Sequence, residues 1–231
     1  MSLIPLREQV LVWLFSKKHL DSILTLQGRV RRCASQEGNA LYALLTLGLA
    51  DERCDELAMR LLRFQWPDGG WNCDRRPQAD TSSFMESLIP LRALNLHARL
   101  TGSADSQAAA TRAAEIFLSR QMFRRRRDGA LIDPHFLKLH YPCYWHYDIL
   151  FGLSVMAEAG FIHDPRCQEA LDLLESKRLP DGGFPAEERY YTTRQAPSGV
   201  SNVDWGGTSQ RKMNPFVTTE ALLVLKAAGR L

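Results

Sequence analysis

Three observations predict an all-α chain assembled from helical hairpins. The first is repetition. Leu61-Leu62-Arg63-Phe64-Gln65-Trp66-Pro67-Asp68-Gly69-Gly70-Trp71 and Leu173-Leu174-Glu175-Ser176-Lys177-Arg178-Leu179-Pro180-Asp181-Gly182-Gly183-Phe184 each read as an amphipathic helix end, a Pro-Asp-Gly-Gly turn and one large aromatic. A degenerate copy lies between them, where Phe117-Leu118-Ser119-Arg120-Gln121 leads into Arg127-Asp128-Gly129-Ala130-Leu131. Asp68, Asp128 and Asp181 are spaced by 60 and 53 residues, which suits a helical hairpin with a decorated loop better than a short solenoid repeat. The second observation is apolar spacing of helical period along the whole chain, and the third is the near absence of alternating strand patterns.

The elements follow in order. Leu3–Leu24 reads as a first helix; its apolar run Val10–Phe15 is too short to cross a membrane, and no small-residue cleavage site follows it. Ala40–Leu49 forms the next. Ala58, Leu61, Leu62 and Gln65 share a face, as do Phe84, Leu88 and Leu91, then Ala110, Ala113, Ala114 and Phe117. Ile149, Gly152, Leu153 and Met156 repeat the spacing, followed by Ala170, Leu173 and Leu174, and by Val217, Ala221 and Val224. The total is about eight helices, or four hairpins. At each Pro-Asp-Gly-Gly turn, Pro fixes its own φ, Asp bonds the backbone ahead, and the glycines supply the positive φ that stops a helix. Trp71 and Phe184 are then expected to fold back on the helix just left. Two long connections, Arg127–Tyr141 and Pro185–Met213, carry His135, His140, Tyr190, Tyr191 and Trp205, and read as binding edges.

Composition narrows the function classes. At 231 residues and 45% hydrophobic content, residues 1–231 are read as one domain with a sizeable core. A net charge of +3, from 29 basic and 26 acidic residues, gives no general pull toward nucleic acid. Five scattered cysteines form neither a disulfide scaffold nor a zinc finger, and point to a reducing cytoplasm. No Gly-x-Gly-x-x-Gly, P-loop, Gly-x-Ser-x-Gly or His-Glu-x-x-His motif is present, so no nucleotide cofactor is expected. The run Arg124–Arg127 reads as a helix end; as a diphosphate clamp with Arg75 and Arg76 it lacks an Asp-Asp-x-x-Asp magnesium motif.

Gln65-x-x-x-Gly69-x-Trp71 resembles the QW repeat of squalene-hopene cyclases, whose fold is shared with the β-subunits of protein prenyltransferases. The resemblance implies an (α/α) toroid, with inner helices beginning near Glu37, Asp80, Cys143 and Asn214. Four hairpins fall short of that superfamily's six, which leaves an open crescent, a tightened ring, or a ring completed by a second copy in a homo-oligomer. The resemblance further implies a hydrophobic, isoprenoid-like small molecule held in an inner-ring cavity, with no stable membrane insertion of the protein itself. The competing class is a non-catalytic binding or assembly module.

Two segments concentrate chemistry. Asp80-Thr81-Ser82-Ser83-Phe84-Met85-Glu86 reads first as a capped helix start, Ser83 and Glu86 having capping-box spacing. His140-Tyr141-Pro142-Cys143-Tyr144-Trp145-His146-Tyr147-Asp148 is the most unusual stretch. Candidate acids and bases are Asp80, Glu86, His146 and Asp148. Phe84, Tyr144, Trp145, Tyr147, Phe151 and Phe216 are candidate walls of an apolar, cation-tolerant pocket. The Tyr144–Asp148 and Asp80–Glu86 segments are expected to face one another. The cyclase acid Asp-x-Asp-Asp is absent. No metal is expected, and a purified sample should carry no stoichiometric zinc, because Ser82 stands where the prenyltransferase Asp-x-Cys has its thiolate, and aligning Gly152-Leu153-Ser154 puts Trp145 rather than His146 at the ligand position. His140-x-x-Cys143-x-x-His146 has passable ligand spacing, and Cys73-Asp74 either joins these candidates, if the ring folds tightly, or is an ordinary loop.

Overall fold

The computed structural model describes residues 2–193 and 203–231. Among them the chain is mostly helical, in agreement with the all-α expectation: α1 (Ile4–Leu14), α2 (Lys17–Asp21), α3 (Ala34–Thr46), α4 (Glu52–Arg63), α5 (Phe84–Thr101), α6 (Ala104–Leu118), α7 (Ile149–Glu158), α8 (Gln168–Ser176) and α9 (Pro215–Ala227). Short 3-10 turns cover Pro134–Leu137 and Pro165–Cys167. The backbone divides into two compact units, Met1–Ile116 and Phe117–Leu231.

The first unit departs from its sequence reading at the start. The expected Leu3–Leu24 helix breaks at Ser16, whose extended backbone and side chain cap α2 by accepting the His19 N–H at 3.2 Å. A hairpin follows, β1 (Leu24–Leu26) paired antiparallel with β2 (Arg29–Arg31), turning at Gln27 and Gly28, both at positive φ. Three residues per strand are too few for alternation to show in the sequence. The freed Leu14 carbonyl at the end of α1 accepts from the Arg60 guanidinium at 3.1 Å. Helix α3 starts at Ala34, ahead of Glu37, and α5 starts at Phe84, four residues past Asp80.

The core of this unit forms where α3 and α5 cross, over Leu41, Leu57, Leu61, Trp71, Leu88 and Leu91, all buried. Each such leucine contributes roughly 1.5–3 kcal/mol by leaving water. The crossing is close because α3 carries Gly38: a Cβ there would stand 2.9 Å from the Pro90 nitrogen of α5. Glu37, wholly buried, is paired with Arg32 and Arg60, and His19 lies 3.4 Å away, so its charge is not left alone in the core.

In the second unit α7 packs against α8 and α9, burying Leu153, Met156, Leu171, Leu174, Phe184, Val217 and Leu225. Helix α7 begins at Ile149 rather than near Cys143; residues 143–148 form its approach, and Asp148 caps it through the Phe151 N–H at 2.7 Å. Helix α9 begins where expected, capped by Asn214. Of the long Pro185–Met213 connection, residues 194–202 lie outside the described residues. The arginine run is neutralised locally: Arg124 bonds Glu169 at 2.7 Å, and Arg125 and Arg127 reach Asp128 at 3.4 and 3.2 Å. Among the described residues no helix is long and apolar enough to cross a membrane.

Candidate functional site: a histidine pair on Asp148

The residues read from the sequence fall in both units. Asp80 is exposed in the loop before α5, and no hydrogen bond to its side chain is seen; Ser83, not Asp80, caps that helix, accepting the Glu86 N–H at 3.4 Å. Glu86 does not complete a capping box. Its carboxylate accepts the Ser35 N–H at 2.9 Å and the Cys73 S–H at 3.5 Å, and burial raises its pKa above the ordinary carboxylate value. Phe84 is buried beside it in the sequence, at the first position of α5.

Asp148 anchors the second group. It is wholly buried, and besides capping α7 it accepts the His140 backbone N–H at 2.9 Å and the His140 Nδ1–H at 2.9 Å. A carboxylate held by three donors cannot swing, so it fixes both the tautomer and the plane of the imidazole. His140 Nε2 is buried and has no hydrogen-bond partner. Burial opposes charging of His140, but the facing Asp148 outweighs it and holds the pKa above the ordinary histidine value.

His146 is the opposite case. Its ring is sandwiched between Trp145, with centroids 3.9 Å apart, and Tyr190, at 3.4 Å, and its Nδ1 has no partner. Burial, reinforced by the charge of His140, pushes its pKa down to about 4. The two imidazoles stand edge to face, 6.2 Å apart. Tyr190 is held in place by its hydroxyl, which donates to Glu188 at 2.9 Å, and Glu188 also pairs with His135 at 2.8 Å and Lys138 at 3.4 Å. The residue before Trp145, Tyr144, has φ of 46°, a left-handed conformation that costs a non-glycine residue roughly 1–3 kcal/mol and presents the Trp145 ring half exposed.

The remaining candidate rings divide by role. Tyr147 is core: it is buried against Phe117 and Phe136, and its hydroxyl donates to the Met122 carbonyl at 2.6 Å. Phe151 is buried in α7. Phe216 is partly exposed and stacks on Tyr141 at 4.9 Å, with Trp205 edge-on at 5.2 Å. Within the second unit the fold thus gathers His146, Asp148 and Trp145, as read from the sequence, and adds His140, Tyr190 and Glu188. The sequence signalled His140 only through its spacing to Cys143 and His146, and Glu188 not at all, since its contact with residues 135–140 closes a loop of about fifty residues that no local pattern marks.

In comparisons with protein-family models, with curated proteins and with solved structures, the chain matches none.

Proposed function

We propose that the chain binds an apolar, isoprenoid-like small molecule and acts on it by proton transfer at the His140–His146 pair. The observation that carries this is one pair of neighbouring imidazoles, each with a buried nitrogen free of partners, in surroundings that drive their proton affinities apart. His140, whose proton affinity the facing Asp148 raises, serves as the acid; His146, stripped of water between two rings and with its pKa depressed to about 4, serves as the base. Trp145 and Tyr190 supply π faces, each worth roughly 0.5–2 kcal/mol to a cationic centre. In the (α/α) toroid or partial toroid that the paired turns support, Asp80, Glu86 and Phe84 stand as further candidates from the first unit. A second copy would complete such a ring.

The test uses farnesol and its amine analogue as probes, read by tryptophan fluorescence. The expected result is saturable binding, tighter for the amine, that loses at least about tenfold in affinity in both Trp145→Ala and His146→Ala. Binding by neither probe, or binding indifferent to both variants, would leave Asp148 as a helix cap only and favour the non-catalytic module.

The two histidines also predict a pH profile. His140 has a raised folded pKa, so its pairing with Asp148 stabilises fully below the ordinary value of about 6.5, and that stabilisation is lost as pH rises through the folded pKa. His146 is depressed, so the native state lags the unfolded chain in taking up a proton, and stability falls as pH drops from about 6.5 to about 4. In His146→Phe, which keeps the stack, the acid-side loss should shrink by about 1 kcal/mol, a figure already reduced for partial exposure. Thermal unfolding from pH 4 to pH 7 measures it; identical slopes for variant and parent would show that His146 titrates normally.

A further inference from the structure

The first unit brings together three metal-ligating side chains that the sequence keeps far apart. The parallel bridge between Arg31 and Asn72, with the Arg32 N–H donating to the Asn72 carbonyl at 3.2 Å, lays the segment entering α3 beside the segment leaving the Trp71 turn. Cys33, the residue capping α3, and Cys73 then follow side by side. Glu86, from the first turn of α5, closes the group by accepting the Ser35 N–H at the start of α3. One donor atom from each of Cys33, Cys73 and Glu86 lies within 4.8 Å of the other two, and Cys73 Sγ is 3.5 Å from Glu86 Oε1. Zinc bonds of about 2.3 Å to sulfur and 2.0–2.2 Å to oxygen, at the tetrahedral angle, set those two atoms about 3.5 Å apart.

Cys33 and Cys73 line a cavity of about 310 Å³ together with Arg31, Arg32, Arg75 and Gln36. Arg31 is almost wholly buried, lies over the Trp66 ring at 4.5 Å and gives one N–H to the Ala79 carbonyl, while its Nε and second terminal nitrogen have no partner. With Arg31, Arg32 and Arg75 in its lining, the cavity favours an anion. The N–H groups of α3 and these arginines also favour thiolate over thiol.

We propose that Cys33, Cys73 and Glu86 bind zinc as a three-ligand site, its fourth position open to the cavity and taken by water or by a small anion steadied by Arg31. On binding, zinc displaces the thiol protons into solvent, with no change of oxidation state. The site does not depend on the proton-transfer reading of His140 and His146, since it uses none of their atoms.

The experiment titrates the reduced full chain with zinc, and in parallel with cobalt, whose thiolate charge-transfer absorption reports sulfur ligation. The expected result is about one metal per chain, with sulfur-to-cobalt bands, and a loss of at least about tenfold in affinity in Cys33→Ser, Cys73→Ser and Glu86→Gln. Glu86→Gln separates the ligand from the scaffold, because its amide oxygen still accepts the Ser35 N–H and helical content should be unchanged. Inorganic phosphate is expected to shift the visible cobalt bands of the parent and not those of Arg31→Met; bands indifferent to phosphate would overturn the open position. Uptake below about a tenth of an equivalent, or uptake unaltered in both serine variants, would overturn the site. A Cys33–Cys73 disulfide forming in air in a chain that takes up no zinc when reduced would do so in favour of a thiol pair.

Discussion

The turn before Trp71 and the turn before Phe184 share one hydrogen-bond skeleton and close it differently. In each, the N–H of the residue before proline donates to the second glycine's carbonyl, Trp66 to Gly70 at 2.7 Å and Leu179 to Gly183 at 2.9 Å. The first glycine donates back, Gly69 to Trp66 and Gly182 to Leu179, both at 2.9 Å. The aromatic's carbonyl accepts the N–H of the next helix's cap, Ser83 at 2.9 Å and Asn214 at 2.8 Å, and its own N–H donates to a hydroxyl four residues into that helix, Ser87 at 3.1 Å and Thr218 at 2.9 Å. The loops between turn and helix differ greatly in length, so these bonds are a property of the repeat and not of the connection.

The differences sit in the side chains. The Trp71 indole donates to the Leu61 carbonyl at 3.0 Å, one of the groups that the end of α4 leaves open. Phe184 has no donor, and the corresponding Leu174 carbonyl is instead taken by the Lys177 backbone N–H at 3.1 Å, tightening the last turn of α8. Gln65 donates to the Gly69 and Ala109 carbonyls at 2.7 and 2.8 Å and accepts from Arg112 at 2.6 Å, lashing its turn to α6. Arg178, in the same place, lies over the Phe184 ring at 5.3 Å. The first turn is locked by hydrogen bonds and the second by packing.

The strongest break in this comparison is at the second glycine. A Cβ on Gly70 would stand 2.3 Å from Ile116 Cδ1 and from Ser87 Oγ, and 2.7 Å from Ser82 Cβ, all in a packed interior. On Gly183 its three nearest neighbours would all be atoms of Met213, the closest Cβ at 2.5 Å, and that side chain is half exposed. Gly70→Ala should therefore cost about 3 kcal/mol or more, and Gly183→Ala about 1 kcal/mol. Thermal unfolding of the two variants checks this; equal losses would mean that the surroundings of the two turns are equivalent.

Next in size is Trp71→Phe, which gives the first turn the aromatic of the second. It leaves the Leu61 carbonyl open in a buried place and removes ring volume, for a loss of about 2 kcal/mol. Phe184→Tyr offers no compensating bond and should bring no gain. If Trp71→Phe cost nothing, α4 would be able to tighten its last turn as α8 does, and the indole bond would be dispensable.

What could be read beforehand follows from range. The Pro-Asp-Gly-Gly turns, the Ser83 cap, a helix start near Asn214 and most helix faces are placed by the structure as read. Gln65 ties its turn to α6 through the Ala109 carbonyl and Arg112, a contact between distant segments that the motif itself does not display. The β1–β2 hairpin escaped because six residues show no period, and the Leu3–Leu24 helix broke at a cap, Ser16, that competes with helix continuation. The histidine–aspartate pair was half legible, since His140 and Asp148 lie within one segment while Tyr190 and Glu188 arrive from a distant loop. Cys33, Cys73 and Glu86 were illegible as a group: Glu86 was read as an acid or base, Cys73 beside the His140–His146 spacing and Cys33 not at all, and only the Arg31–Asn72 bridge makes them adjacent.

The smallest expected effect concerns the hydroxyls that receive the aromatic N–H groups. Ser87 is wholly buried, and its Oγ both accepts the Trp71 N–H and lies 3.4 Å from the Trp71 carbonyl; Ser87→Ala strands that N–H away from water. Thr218 makes the same pair of bonds to Phe184, at 2.9 and 3.2 Å, and Thr218→Val, which keeps the side-chain volume, strands the N–H of a residue that is itself wholly buried. An unpaired buried donor costs about 1–3 kcal/mol, so Ser87→Ala and Thr218→Val should each lose about 1 kcal/mol. Amide exchange resolves the two directly, because each variant should speed exchange at its own turn, Trp71 or Phe184, and leave the other unchanged. Faster exchange at both turns in either variant would show that the two repeats open as one cooperative unit, and the distinction between a bonded lock and a packed one would then describe geometry without describing stability.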